Sequence, residues 1–444
     1  MSKIKTFSLK TKHKKILADT ITPVSVYLKL RDVFPHSLLL ESSDYHANKN
    51  DFSYICCNPI AYIELKNNKL TTQLPDNSSK VEKVDFQIDI PERIHQFSKH
   101  FDSENSPFKF LSNGIFGYVA HDAVERFENI ELNKNKPGQD IPDLYYAVYQ
   151  NIIAISLFNH EAHLFSNIYD GNHNLNEIEL LLQAKNNCNF TFEKVGEKSS
   201  NLSDEEFIDF VKKGKEHCYR GDVFQLVLSR SFSQGFKGDE FNVYRTLRSI
   251  NPSPYLFFFD YGNFKIFGSS PEAQLIVQNG KAEIHPIAGT FRRTGNDEKD
   301  AKAAEELAKD PKENSEHVML VDLARNDLSR NGSEVIVEKN REIQFYSHVI
   351  HLVSKVSCNM KKSTKTFRVV ADTFPAGTLS GAPKHKALQL IDRYETTKRN
   401  FYGGACKIQI PALSKHFFKK SLSFENLIPS ASSTLLDPHP EETP

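Results

Sequence analysis

The first 195 or so residues carry short apolar runs at 37–41, 52–57, 115–119 and 145–157, rich in β-branched and aromatic side chains and separated by clusters of Asn, Asp and Gly. Such side chains suit a pleated surface and such clusters turn the chain, so this half is expected to form a mostly antiparallel sheet. No apolar run approaches the roughly 18 residues of a membrane-spanning helix. The lysine-rich start (Lys3, Lys5, Lys10, Lys12, Lys14, Lys15) lacks the apolar stretch of a signal peptide. A cytoplasmic protein with no membrane partner is expected.

Charge narrows the partners further. Lys and Arg number 56, and Asp and Glu number 56, so the general basic field that serves nucleic-acid binding is missing and no nucleic-acid partner is expected. Six cysteines are scattered, with only Cys56 and Cys57 close together. This spacing is neither a zinc framework nor a disulfide scaffold, and buried reduced thiols are expected.

The 444 residues suggest two or three domains. The polar stretch 193–203, with Gly196 and three serines, is the best internal boundary, dividing a region 1–195 from a region 196–405. Beyond it, Ser203-Asp204-Glu205-Glu206 fits a capping box opening a helix that Gly221 stops. Residues 223–229 read as a strand. Asp310-Pro311 is an N-cap and first-turn pair for a second helix. Alternation over 341–358 predicts strand, and 382–394 a further helix.

Several runs could carry chemistry. Strand alternation places Gln225 on one face with Val223, Val227 and Ser229, and a buried amide left unpaired would cost about 1–3 kcal/mol. Glu313 and Glu316 lie three apart on a helix, a spacing that suits capture of a hard divalent cation. Pro286-Ile287-Ala288-Gly289-Thr290 reads as a strand ending in a Gly-Thr turn where a ligand could approach the backbone. Phe374-Pro375-Ala376-Gly377-Thr378-Leu379-Ser380-Gly381-Ala382-Pro383-Lys384 sits before a helix whose N–H groups favour an anion, without Walker-loop spacing. His348 and His351 point to opposite faces of a strand and are poor mutual metal ligands. Singly, each run also has a structural reading: a bonded core amide, a solvated helix face, a strand-to-loop turn, a glycine-rich cap or a core histidine.

Together and in order, these runs with Asn251-Pro252-Ser253-Pro254-Tyr255, Gly268-Ser269-Ser270-Pro271-Glu272, Glu316-His317 and Val321-Asp322-Leu323-Ala324-Arg325-Asn326-Asp327-Leu328 closely resemble the chorismate-utilising enzymes. Within that family the motifs are most similar to the component I (large-subunit) group of anthranilate synthases, from about residue 20 to 405. The resemblance implies an α+β fold of layered antiparallel β-sheets flanked by helices. It implies Mg²⁺ dependence and conversion of chorismate and ammonia to anthranilate and pyruvate. Ammonia would come from glutamine through a partner amidotransferase subunit (component II), in a hetero-oligomer.

The resemblance also implies residue roles. Glu316 would be a Mg²⁺ ligand supported by Glu313. Gly289 and Thr290 would bind substrate, Thr378 and Tyr402 would line its pocket, Glu272 would protonate the leaving C4 hydroxyl, and His351 would transfer a proton during pyruvate elimination. Isochorismate and salicylate synthases resemble one another in a water-activating lysine where this chain has Gln225. Aminodeoxychorismate synthases typically carry Pro-Ile-Lys-Gly-Thr where this chain has Ala288. Both differences favour direct attack of ammonia at C2. Leu38-Leu39-Leu40-Glu41-Ser42 and Pro254-Tyr255-Leu256 resemble the halves of a feedback pocket for tryptophan, with Lys49 the nearest downstream basic residue.

After Tyr402-Gly403-Gly404-Ala405 the resemblance stops. Cys406-Lys407-Ile408-Gln409-Ile410-Pro411 replaces the glycine-containing strand, and the family's substrate-gripping arginine, Ala-Gly-Ala-Gly turn and last metal-binding glutamate do not follow. The expectation is a frame change near residue 405 of the coding sequence and a divergent, poorly ordered tail over 406–444. Losing those groups is expected to reduce catalysis by several orders of magnitude. The alternatives are an isochorismate or aminodeoxychorismate synthase activity, or a non-catalytic remnant that binds tryptophan or the amidotransferase.

Overall fold

The computed structural model describes residues 4–42, 52–85, 88–104, 106–108, 110–184, 190–346, 349–406 and 427–429. The chain folds as α+β, with one sheet of twelve strands, a second of six, and helices packed on them. The large sheet runs in spatial order Lys265–Ser270, Tyr255–Asp260, Leu38–Glu41, Ser53–Lys66, Leu144–Ser156, Glu161–Ile168, Phe7–Leu17 and Phe101–Ser103. Its predicted strand at 115–119 is found as Ile115–Val119.

Leu144–Ser156 is buried almost without interruption. Both faces of this central strand are covered: Ile153 and Ile155 pack with Tyr27 and Leu39, while Ile152 and Ala154 pack with Phe116 and Phe165. Burial on both faces explains a near-continuous apolar run where a half-exposed strand would alternate.

Strands from both sides of residue 195 share this sheet. Leu256 to Phe259 pair antiparallel with Glu41 to Leu38, and Ala405 pairs with Val119. The second sheet runs Ile287–Arg292, Val349–Met360, Lys281–Ile284, Ala273–Gln278 and Leu427–Pro429, with Gly332–Phe345 beside Val349–Met360. Of the expected tail, Leu427–Pro429 is thus an edge strand on Ala273–Gln278, while 407–426 and 430–444 lie outside the described residues, as do Lys49 and His348. One apolar cluster joins the sheets, taking Leu9, Ile63 and Tyr146 from the large one, Leu275 and Val356 from the second, and Phe367, Phe374 and Leu388 from the helical segments between.

The capping predictions hold at atomic level. Ser203 Oγ accepts from Glu206 N at 3.2 Å and Glu206 Oε2 accepts from Ser203 N at 2.8 Å, opening helix Asp204–Tyr219. Asp310 Oδ1 accepts from the N–H groups of Lys312 and Glu313, each at 2.9 Å, opening helix Pro311–Ser329. Predicted strand 223–229 contracts to Gln225–Leu226, paired with Gly381–Ala382. Side chains take over where that ladder ends: Arg399 donates to Val227 O, and Ser229 N donates to Glu395.

One motif reading is corrected. Pro286 to Thr290 does not end a strand; Ile287–Arg292 continues through a bulge between Ala288 and Thr290, with Gly289 at φ 71°. Glycine adopts that conformation without the Cβ penalty, and the extra residue re-aims the side chain that follows. In the run ending at Lys384, the Lys384 ammonium is buried against Asp327 Oδ2 at 2.8 Å and Thr373 O at 3.1 Å. Gly377 in the same run allows close packing, since a Cβ there would stand 2.1 Å from Leu323 Cδ2.

Four of the five free cysteines among the described residues are buried and Cys218 is exposed. No helix of the described residues is long and apolar enough to cross a membrane. Lys384→Met leaves Asp327 buried without its cation and is expected to lower stability by about 3–5 kcal/mol, read from the urea midpoint. The double variant Asp327→Leu/Lys384→Met is expected to recover much of that loss.

Candidate active site

Helix Pro311–Ser329 is the spine of the site. Its first turns carry Glu313 and Glu316 on one face, its middle backs the Gly377–Leu379 turn through Leu323, and its flank lies on the second sheet. Next to Glu316, His317 is fully buried with Nε2 at 2.6 Å from Ser354 Oγ. This contact fixes the rotation of the helix against strand Val349–Met360.

Gln225 reaches this face from the two-residue ladder, and its Nε2 donates to Glu316 Oε1 at 2.9 Å. From the other side comes the Gly289 bulge: a Cβ on Gly289 would stand 3.2 Å from Glu313 Oε2 and 2.8 Å from Leu307 Cδ1. Strand register sets Thr290 opposite His351. His351 Nδ1 lies 3.0 Å from Gly289 O and 3.1 Å from Thr290 Oγ1. A carbonyl can only accept, so this geometry assigns the proton to Nδ1 and leaves the Nε2 lone pair free. Burial lowers the His351 pKa against the opposing effect of the Gly289 carbonyl, so the ring is neutral near pH 7.

A second pair faces the same turn. Thr378 Oγ1 donates to Glu272 Oε2 at 3.0 Å. Part of the Glu272 residue is accessible, yet protein crowds its carboxyl, and desolvation raises the pKa to about 7 against the lowering effect of the Thr378 hydroxyl. A carboxyl so placed holds its proton near neutrality and can give it up. Tyr402 joins through Arg399, whose guanidinium carbon lies 5.5 Å from its ring centroid and whose Nη1 donates to Leu379 O, next to Thr378.

Gln225, Glu313, Glu316, Gly289, Thr290 and His351 therefore adjoin one another along the helix face, and Thr378, bonded to Glu272, belongs to the turn that the same helix backs through Leu323. Arg399, Glu395 and the His317–Ser354 bond escape sequence reading. The one signal for the pair is charge at i and i+4 at the end of an apolar helical pattern.

Ser42, Pro254, Tyr255 and Leu256 lie elsewhere. The pairing of Leu256 with Glu41 sets the residues flanking it, Tyr255 and Ser42, at the same end of adjacent strands. Glu41 itself is buried, with Oε2 accepting from Tyr244 OH at 2.6 Å and standing 3.0 Å from Arg248 Nε. The two sequence halves thus meet at one end of the large sheet.

The donor set fits a hard divalent cation in part. Glu313 and Glu316 project from one helix face, and the nearest cation to Glu313 is the exposed Lys312 at 3.7 Å. Among the described residues no group of three or more His, Cys, Asp or Glu converges as a metal site. Two carboxylates suit Mg²⁺, which retains waters and takes substrate oxygens as its other ligands.

Comparison with known proteins agrees with this geometry. The family model described as chorismate binding enzyme matches residues 35–409. The chain is 35% identical over 409 residues to anthranilate synthase component 1 of Aquifex aeolicus, spanning 88% of this chain and 81% of that one. It is also 35% identical over 419 residues to the protein of the same name from Lactococcus lactis, spanning 89% and 87%. The structure of anthranilate synthase component I from Streptococcus pneumoniae matches with a TM-score of 0.68 at 27% identity, over 94% of this chain and 90% of that one. MenF, the menaquinone-specific isochorismate synthase of Escherichia coli, matches with a TM-score of 0.67 at 13% identity over 97% and 86%, a likeness of fold. With motifs, fold and paired side chains in agreement, the chain belongs to the chorismate binding enzymes, as an anthranilate synthase component I-like member.

Proposed function

We propose that the chain converts chorismate and ammonia to anthranilate, pyruvate and water in tryptophan biosynthesis, at a rate lowered by the family groups missing after Ala405, with ammonia supplied by a separate glutamine amidotransferase subunit and tryptophan acting as feedback inhibitor. The observation that carries the reading is the bond from Gln225 Nε2 to Glu316 Oε1. An amide at this position has no proton-accepting function near neutral pH, so water is not activated there. Ammonia is already a nucleophile and needs no base. Ala288, buried where a sibling chemistry uses a lysine nucleophile, supports the same choice.

The residues divide the work. The protonated carboxyl of Glu272, steadied by Thr378, gives its proton to the C4 hydroxyl, which leaves as water while ammonia bonds to C2. The free Nε2 of neutral His351 moves a proton as the enolpyruvyl group departs as pyruvate. Gly289 allows the ring carboxylate to approach the backbone, and Thr290 and Tyr402 bound the pocket. Glu313 and Glu316 would hold Mg²⁺, which when bound neutralises the ring carboxylate and eases departure of the hydroxyl.

Incubating the chain with chorismate, Mg²⁺ and ammonium while following anthranilate fluorescence tests the reading. No anthranilate, with isochorismate formed instead, would replace it by a water-dependent activity. No product with tryptophan still bound would mark a non-catalytic binder. Gln225→Lys places a base beside Glu316 and is expected to divert product toward the water adduct; an unchanged preference for ammonia would count against the role given to the amide.

Glu272→Gln is expected to cut anthranilate formation by about 10²–10⁴-fold. It also has a signed effect on stability. Because the folded pKa of Glu272 is raised from 4.5 to about 7, ionising it in the native state is unfavourable, and wild-type stability falls as pH rises between those values. The variant should therefore melt higher than wild type at pH 8, with the gain shrinking toward pH 4.5.

For the regulatory site, the absence of Trp from the chain makes added tryptophan the sole indole fluorophore. Binding should change its emission, and Ser42→Phe should abolish the change.

A further inference from the structure

Three separate pieces of the pocket converge on one guanidinium. Arg399 is 7% exposed. Its Nε and Nη2 donate to Glu395 Oε2 and Oε1 at 2.8 and 2.6 Å. Nη1 donates to Leu379 O at 2.7 Å and Nη2 also to Val227 O at 2.6 Å. Glu395 Oε1 in turn accepts from the N and Oγ of Ser229 at 2.7 and 2.9 Å. The segments held are those that carry the pocket residues: Leu379 follows Thr378, Val227 lies two residues beyond Gln225, and Tyr402, whose N donates to Arg399 O at 3.0 Å, lies under the guanidinium.

Stability alone is a weak reason to bury this pair. Removing two charges from water costs several kcal/mol per ion, and well-packed apolar residues often serve stability equally well. What an apolar cluster lacks is direction. The planar fork of arginine fixes the angle and spacing of each acceptor, which a lysine ammonium does not. Here the fork acts at the end of the backbone ladder of Gln225–Leu226 with Gly381–Ala382, beside its last link from Val227 N to Ser380 O at 3.0 Å, so it adds fixed side-chain direction where backbone pairing between strand and turn ends.

We propose that Arg399, held by Glu395, is a positioning residue that sets Gln225, Thr378 and Tyr402 at their working separation around the substrate. This deepens the reading of the pocket as a chorismate site and rests on it. The consequence reaches Glu272: loosening the Leu379 carbonyl draws Thr378 away, and a carboxylate that loses a donor becomes harder to ionise.

The test compares the full-length wild type with Arg399→Lys and Thr378→Val. The Glu272 carboxyl is titrated by infrared difference spectroscopy, with Glu272→Gln assigning the band. The kcat and KM for chorismate are measured at a fixed concentration of unprotonated ammonia. Arg399→Lys is expected to remain folded, to move the Glu272 midpoint upward in the same direction as Thr378→Val, and to lower kcat by about 10²-fold with a smaller change in KM. A folded Arg399→Lys with an unmoved Glu272 midpoint overturns the proposal, because a purely structural role lowers the melting temperature without touching that titration. Should Arg399→Lys not fold, Glu395→Gln decides the question, since it weakens the hold on the fork while keeping the guanidinium, and the same upward shift is expected. If the wild type makes no anthranilate, the functional reading fails while the titration still decides the positioning role.

Discussion

The arrangement of the site depends on helix Pro311–Ser329 being fixed at both ends by buried or capping charge. At its start, Asp310 satisfies two of the N–H groups that a helix leaves unpaired. Near its end, Asp327 is bonded to the buried Lys384. Between these points His317 grips Ser354, and Leu323 leaves room for nothing larger than Gly377. A helix held at so many points along its length has little freedom to slide or rotate, so Glu313 and Glu316 meet the Gly289 bulge and Gln225 at set positions.

The surroundings of the two glutamates suit the different roles that the motifs imply for them. Glu272 and Glu316 are both partly buried glutamates, but desolvation carries Glu272 to about 7, while Glu316 has Gln225 as donor at the mouth of a two-carboxylate face. One suits proton donation and the other suits a cation. His351 is kept neutral by burial with its proton turned toward a carbonyl, which leaves the lone pair on its second nitrogen.

Local elements were largely legible. The capping box at Ser203, the Asp310-Pro311 helix start and strand Ile115–Val119 follow from short-range rules, because caps and periodicity are satisfied by residues within a turn or a pleat of one another. The misreadings occur where distant side chains intervene. Strand 223–229 is shortened because Glu395 and Arg399 take the backbone groups a neighbouring strand would have used. The Gly-Thr turn at 289–290 is a bulge because the strand continues against Val349–Met360.

The sequence by itself determined the family and the α+β class and named the candidate site residues, because ordered motifs and local patterning are properties of neighbouring residues. Tertiary structure alone decided which of those groups meet and in what protonation state. The sharing of one sheet by strands on both sides of residue 195, the crowding around Glu272 and the hold of Arg399 on Leu379 and Val227 all depend on segments far apart in the chain. Desolvation and hydrogen-bond direction act through space, and no spacing along a sequence encodes them one residue at a time.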